Sequence, residues 1–505
     1  MKSMLPSCIS PPQDNAVWAP PLDLHDLVVR LEVAGVTNSV AHSEHGFSDV
    51  WSMAEHYFPL TIGQAAITTP AVQNAAVWKD YVKGMAFAAP TILCCLTVLF
   101  FKLALWGGRL TSSEAVAVAA ATITSFIVTG GIIQIIGRQG HFYKSTGGWA
   151  LCGRSSWFAV KLGVFILLSV IALAFIANSY FQWLPLSLFA WSAALTLCIG
   201  VYLLGGGTLY VLDAELLISV GTLAGTGVVA LLFFVAHLPI LLSQIVGIAA
   251  AAAICFWIAR SRFAQFEKGS PAAARIPSPG RLVYALWPYF IYGALYYSFL
   301  FADRIIAWSA QTQNASLPLQ FRGEYEAALD VCLFAFVVQV GWIHAGLVKF
   351  YRLVGVEQKR LSIQKRAQLL RVVARFYTRQ MLVLAILFLV STAAVFLVIH
   401  EIKAFYSLLL FRVAVFAMLG IPFLAIGLWN AALLFALSRP NLVVTAIALG
   451  LITNVVVGYL LSRLVSYDLA IVGFDAGAVT LACVSTWFFR RLLPNFDYHF
   501  FAATT

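Results

Sequence analysis

Charge is what this sequence has least of. Only 10% of its 505 residues are Asp, Glu, Lys or Arg, against 61% hydrophobic, and the mean hydropathy is +0.88. Soluble domains carry about a quarter charged residues, so the composition excludes one and indicates an integral membrane protein. Recognisable reaction chemistry is missing as well. There is no CxxC pair, zinc-ligand spacing, nucleotide-binding glycine loop or nucleophile elbow. The eight cysteines lie mostly in apolar runs and read as small buried hydrophobes, so no metal or cofactor is expected. The first residues also lack the charged segment and following apolar stretch of a signal peptide.

What is present is a succession of apolar runs of about twenty residues, the length a helix needs to cross the hydrocarbon core. The short alternating segments of an outer-membrane barrel are not seen. The expected fold is an all-α integral membrane protein of about twelve transmembrane helices in two six-helix bundles, with both termini cytoplasmic. The spans are placed at Gly84–Trp106, Glu114–Ile136, Trp157–Ala177, Trp183–Leu204, Ala214–Val235, Leu238–Ala259, Leu282–Phe301, Leu329–Lys349, Gln380–Ile399, Leu408–Leu437, Asn441–Leu461 and Asp468–Phe488. The chain then divides into a cytoplasmic extension (1–83), a first bundle (84–259), a cytoplasmic linker (260–281), a second bundle (282–488) and a cytoplasmic tail (489–505). Within the extension, Asp23 to Glu32 reads as one short amphipathic helix and the rest as partly disordered.

The basic residues fix the orientation. Arg138, Lys144 and Arg154, the cations between Arg260 and Arg281, the long series from Lys349 to Arg379, and Arg490 with Arg491 all fall on one side of this layout. The other side holds Arg109, Arg304, Arg322, Lys403 and Arg463. Cytoplasmic loops are enriched in Lys and Arg, so topology accounts for the net charge of +11 and no nucleic-acid partner is expected. In the 356–380 basic loop, Leu361, Leu369, Val372, Val373 and Phe376 alternate with cations. That pattern suits either a helix held on the inner leaflet by anionic lipid or a solvated loop that only sets topology.

The seventh span carries the most pointed pattern. Tyr289, Tyr292, Tyr296, Phe299 and Asp303 recur every three or four residues, which puts them on one helical face. Such a stripe is either a carbohydrate path, with rings stacking on sugars, or a packing seam. Asp303 and Arg304 close the span, and the outer segment beyond it adds Arg322, Glu324, Glu326 and Asp330 around a possible exit mouth. In the last span, Asp475 lies between Gly473 and Gly477, which suits close helix packing with the acid facing protein, a wet cavity or the outer interface. Pro90 and Pro288 enter the leading helix of each half, as in transporters built from repeats with interrupted helices. His237, His344, Asn430 and Asn454 read as interhelical hydrogen-bond partners.

The segments PYFIYGALYYSFLFADRIIAWSA (288–310), LPLQFRGEYEAALD (317–330) and IVGFDAGAVTLACVSTWFFRRLLPNFDYHFF (471–501) resemble the inner-membrane transporter family of the Pel exopolysaccharide system. That family is grouped in the multidrug/oligosaccharidyl-lipid/polysaccharide exporter superfamily. The resemblance implies a non-enzymatic transporter of the bacterial inner membrane that moves an exopolysaccharide or its sugar precursor from cytoplasm to periplasm by alternating access. It also implies a membrane biosynthetic complex with a cytosolic glycosyltransferase and a partner responsive to cyclic di-GMP. The transport pathway is then expected along Tyr289, Tyr292, Tyr296, Phe299, Asp303, Arg304, Arg322, Glu324, Asp330 and Asp475, with polysaccharide or lipid-linked sugar as cargo. Two other readings stay open: a membrane glycosyltransferase or ligase using a lipid-linked sugar, and an ion-coupled exporter of small molecules. The extension before Gly84 is longer than the resemblance leads one to expect, so either a domain was added or translation starts near Met53 or Met85.

Overall fold

The computed structural model describes residues 24–33, 36–67, 77–145, 148–267, 279–310, 318–360, 366–401 and 407–504. These form two compact units, one of residues 1–77 with 355–364 and the other of 78–354 with 365–505.

In the smaller unit, α1 (Leu24–Val33) coincides with the helix expected over Asp23 to Glu32. The sequence after it is more ordered than expected. Helices α2 (Asn38–Ser43) and α3 (Val50–Ile67) follow, and Leu27, Leu31, Val36, Ala41, Val50 and Met53 bury together as a small core. The Thr37 side chain caps α2, and Asn38 Oδ1 accepts a hydrogen bond from the Val50 amide at 3.0 Å. These apolar positions are spread over three short helices and the turns between them, so no single periodic run announces them.

The larger unit holds α4 (Val77–Phe101), α5 (Ser112–Ser145), α6 (Trp149–Phe181), α7 (Leu186–Val211), α8 (Glu215–Ala230), α9 (Ile240–Glu267), α10 (Pro279–Trp308), α11 (Gly323–Arg360), α12 (Arg366–Glu401), α13 (Leu408–Ala436), α14 (Pro440–Leu464), α15 (Ala470–Leu492) and a terminal α16 (Phe496–Thr504). Among the described residues there is no β-strand. Among the described residues, eleven helices are long and apolar enough to cross a bilayer. The two halves of α4, bent by 60° between Ala86 and Ala88, make a twelfth if counted as one span.

Two separate apolar cores establish the two bundles. One runs from Cys94 to Phe263 and the other from Tyr292 to Leu481. The fifth and sixth spans are separate helices joined by a short turn: α8 continues into a π turn at Leu231–Val235, and His237 takes a left-handed φ of 53° before α9 begins.

Four expectations change. Prolines do not interrupt both leading helices: α4 bends close to Pro90, whereas α10 is one helix through Pro288. The outer loop expected from Arg304 to Ala328 is shortened at both ends, because α10 runs on to Trp308 and α11 starts at Gly323. Glu324 and Glu326 therefore sit in the first turn of α11, where the helix dipole favours acidic side chains. No separate surface helix covers 366–380, since those residues begin α12. Leu369, Val373 and Phe376 are buried on protein, Phe376 against Phe350 and Trp429. Residues 361–365 of that expected lipid contact lie outside the described residues. Finally, the end of the tail is packed: Phe496 and Phe500 stand edge-on to Phe350.

Candidate functional site

Between the bundles lies a cavity of about 870 Å³, walled by α4, α5 and α7 on one side and by α10, α11, α13 and α15 on the other. In the orientation set by the basic loops, it occupies the outer half of the interface, from Arg109 and Trp308 at the helix ends down to Ile133 and Val340 near mid-helix.

Around its inner end the bundles approach each other at two glycine crossings. A Cβ added at Gly84 of α4 would stand 2.6 Å from the His344 Cβ and 2.9 Å from the Gly341 carbonyl oxygen of α11. A Cβ at Gly130 of α5 would stand 2.9 Å from the Gly293 carbonyl oxygen of α10. Only glycine lets backbones approach so closely. Polar contacts reinforce the closure toward the cytoplasmic ends. Arg352 of α11 pairs with Asp80 of α4 at 3.0 Å, and the Arg138 guanidinium of α5 lies 5.6 Å from the Tyr289 ring centre on α10. Within the first bundle, Asp213 in the α7–α8 turn pairs with Lys83 at 3.3 Å and with Lys144. Partial burial pushes the Asp213 carboxyl up, but the two ammonium groups outweigh it and hold the group below the usual carboxylate range.

The aromatic stripe of α10 does not present one face to the cavity. Tyr296 and Asp303 line it. Tyr289, Tyr292 and Phe299 pack into the second bundle instead. Tyr289 and Tyr292 lie against Phe435 at 5.2 and 4.9 Å between ring centres, and Phe299, fully buried, lies against Phe474. The cavity face is rotated about one residue further, to Tyr297, Phe301, Arg304 and Trp308. Their spacing of four, three and four is as helical as that of the stripe. It was legible in the sequence but masked by the tyrosines beside it.

The charged residues divide too. Asp303 is 1% exposed and accepts a hydrogen bond from the Tyr325 hydroxyl at 2.7 Å. Arg304 Nη1 donates to Glu326 Oε2 at 2.7 Å, Nη2 stands 3.9 Å from Asp330 Oδ1, and the guanidinium lies over the Phe301 ring. Arg304, Glu326 and Asp330 all line the cavity. Arg322 and Glu324 are not among its lining residues. Arg322 Nη2 donates to the Ala310 carbonyl and stacks on Tyr467, while Glu324 accepts from Ser407 Oγ at 2.9 Å. Asp475 is off the cavity wall. Its flanking Gly473 and Gly477 face Gly458 and Gly450 of α14, whereas Asp475 itself faces Gly420 of α13, with Oδ1 buried and unpartnered among the described residues. It remains within electrostatic reach of Asp303. Tyr297 and Trp308 were not among the expected pathway residues, and Glu326 was expected only in the charged segment around the exit mouth.

Two helical bundles thus flank one cavity. No protein-family model and no curated protein matches the chain. Its similarity is to solved structures of MATE transporters. An outward-facing multidrug resistance MATE family transporter of the MOP superfamily aligns at 13% identity and a TM-score of 0.57, over 84% of this chain and 96% of that one. A mutant of the Vibrio cholerae MATE transporter VcmN aligns at 14% and 0.55, over 84% and 99%. A MATE in complex with Br-NRF aligns at 11% and 0.56, over 84% and 96%. The chain therefore has the twelve-helix, two-bundle MATE fold.

Proposed function

We propose that this chain exports a sugar-based cargo, an exopolysaccharide unit or its lipid-linked precursor, from the cytoplasmic to the outer face of a bacterial inner membrane by alternating access. The observation that carries the reading is the cavity between the bundles, with close interbundle contacts toward its cytoplasmic side. Its volume suits a ligand of drug or short-oligosaccharide size. The close approach of the bundles at Gly84 and Gly130 favours discrete units over a threaded chain.

Aromatic side chains on one wall and a compensated charge cluster beside them suit sugar, whose rings stack and whose hydroxyls both donate and accept hydrogen bonds. The resemblance of the 288–330 and 471–501 segments supports the same cargo. A cytosolic glycosyltransferase and a cyclic-di-GMP-responsive protein are the expected partners on this reading. The exposed Arg371, Arg375 and Arg379 at the cytoplasmic end of α12 offer the contact for anionic lipid.

A second reading is favoured by the fold. The solved structures it resembles include a multidrug resistance transporter, so a small amphiphile is the alternative cargo, with the buried Asp303 and Asp475 serving ion coupling. Proteoliposomes discriminate the two. Translocation of a fluorescent lipid-linked disaccharide is expected; movement of ethidium without any movement of the sugar lipid would transfer the assignment to the second reading.

A further inference from the structure

In the first bundle, α6 and α9 meet through a ladder of rings near their cytoplasmic ends. Trp149 stacks on Phe266 at 4.3 Å between ring centres, and Trp157 lies 5.7 Å from Phe256 and 6.5 Å from Phe263. The two helices are therefore antiparallel, and Arg260, which falls between Phe256 and Phe263 in the chain, is level with Trp157.

At about 100° per residue, Arg154 and Lys161 stand about 60° and 40° round α6 from Trp157, and Arg260 stands about 40° round α9 from Phe256. Equal turns on two antiparallel helices lead to the same side of the seam between them. All three cations are exposed, and so are Phe165, one turn beyond Lys161, and Trp257, one turn before Arg260. Along α6, Arg154 and Lys161 lie about 5 Å and 6 Å to either side of Trp157, so the three charges surround one patch about 10 Å tall.

In the orientation set by the basic loops, this patch lies at the cytoplasmic edge of the bilayer. About 28 Å of helix separates Lys161 from the exposed Tyr180 at the outer end of α6, close to the thickness of a hydrocarbon core. The Lys161 Cβ points back along α6 toward the cytoplasm, which carries the ammonium group toward the phosphate level. A cation at that depth is costly unless an anion meets it. These helices supply almost none: α6 has no acidic residue, and the only one in α9 is its last, Glu267. Among the described residues neither Lys161 nor Arg260 has an ion-pair partner.

We propose that Arg154, Lys161 and Arg260 bind the headgroup of an anionic phospholipid of the cytoplasmic leaflet, with its acyl chains against Phe165 and Trp257. Three cations over about 10 Å, with no acid beside them, match a headgroup of two phosphates better than one. The site is separate from the arginines of α12 and does not depend on the identity of the cargo.

The test is native mass spectrometry of the full chain from detergent micelles containing cardiolipin, phosphatidylglycerol or phosphatidylcholine, with inorganic pyrophosphate as the lipid-free anion. Unfolding temperatures are recorded in the same mixtures. Cardiolipin is expected to be retained best and to raise the unfolding temperature. Lys161→Gln and Arg260→Gln are each expected to weaken it about fivefold, the equivalent of about 1 kcal/mol per cation beside anionic lipid. Arg262→Gln removes the same charge from another face of α9 and is expected to leave cardiolipin binding unchanged, as is the charge-keeping Lys161→Arg. If a glutamine variant does not fold, the lipid preference of the wild type and of Lys161→Arg still decides. Equal weakening by Arg262→Gln would reduce the contact to general surface charge and overturn the site. Equal retention of phosphatidylglycerol and cardiolipin, displacement of the lipid by pyrophosphate, or no retained lipid would overturn it as well.

Discussion

At the level of single residues, the tyrosines of α10 separate into two kinds. Tyr297 and Phe301 face the cavity, whereas Tyr292 and Phe299 fill the second bundle. Replacing Tyr297 and Phe301 together by leucine is therefore expected to lower transport of the lipid-linked sugar severalfold with little change in thermal stability. Phe299→Ala is expected to do the reverse first. It empties a fully buried site and costs about 3 kcal/mol, visible as a lower unfolding temperature in detergent. Tyr325→Phe probes another buried contact. It removes the hydroxyl that donates to Asp303 and leaves a carboxylate without that partner at 1% exposure. A loss of about 1–3 kcal/mol is expected, and no loss would show that Asp303 is protonated or otherwise satisfied.

At the level of helices, the inner closure depends on backbones in near contact. Gly130→Val is expected to hold α5 and α10 apart and to shift the population away from this conformer. Spin labels on the cytoplasmic ends of the two bundles would then report a longer mean distance. An unchanged distance distribution would remove the crossing from the gate. Asp80→Asn should shift it in the same direction but less, since the pair it breaks is half exposed at Arg352. The Asp213 cluster bears on pH. Because the folded protein holds this carboxyl below its usual range, its contribution is complete above the ordinary carboxylate value and is lost only as pH falls through the lower folded value. Asp213→Asn is therefore expected to have the same small effect at pH 6 and pH 8, reduced by salt, because the side chain is 44% exposed. The helices themselves were largely legible in the chain. Hydropathy located eleven spans and a bent twelfth, but it understated many of their lengths, since α11 reaches 38 residues and carries its first acids as an N-terminal turn. Hydropathy measures fitness for lipid and does not register where backbone hydrogen bonding stops.

At the level of the whole molecule, the transport proposal reads the cavity and the contacts inward of it as one state of a cycle, and requires a second in which the outer mouth is closed. Apolar composition, spans of about twenty residues and cations on one side determined in advance that this is a multi-pass helical protein with a defined orientation, because the bilayer imposes those patterns on any chain that crosses it. The tertiary structure alone decided which face of α10 meets the cavity. A helix offers adjacent faces of equal periodicity, and only the positions of Phe435 and Phe474 on neighbouring helices turn the tyrosine stripe inward. It also decided that Arg304, Glu326 and Trp308 stand together. They come from two helices joined by an outer segment, and neither their spacing along the chain nor their chemistry specifies that meeting without the packing that brings α10 and α11 side by side.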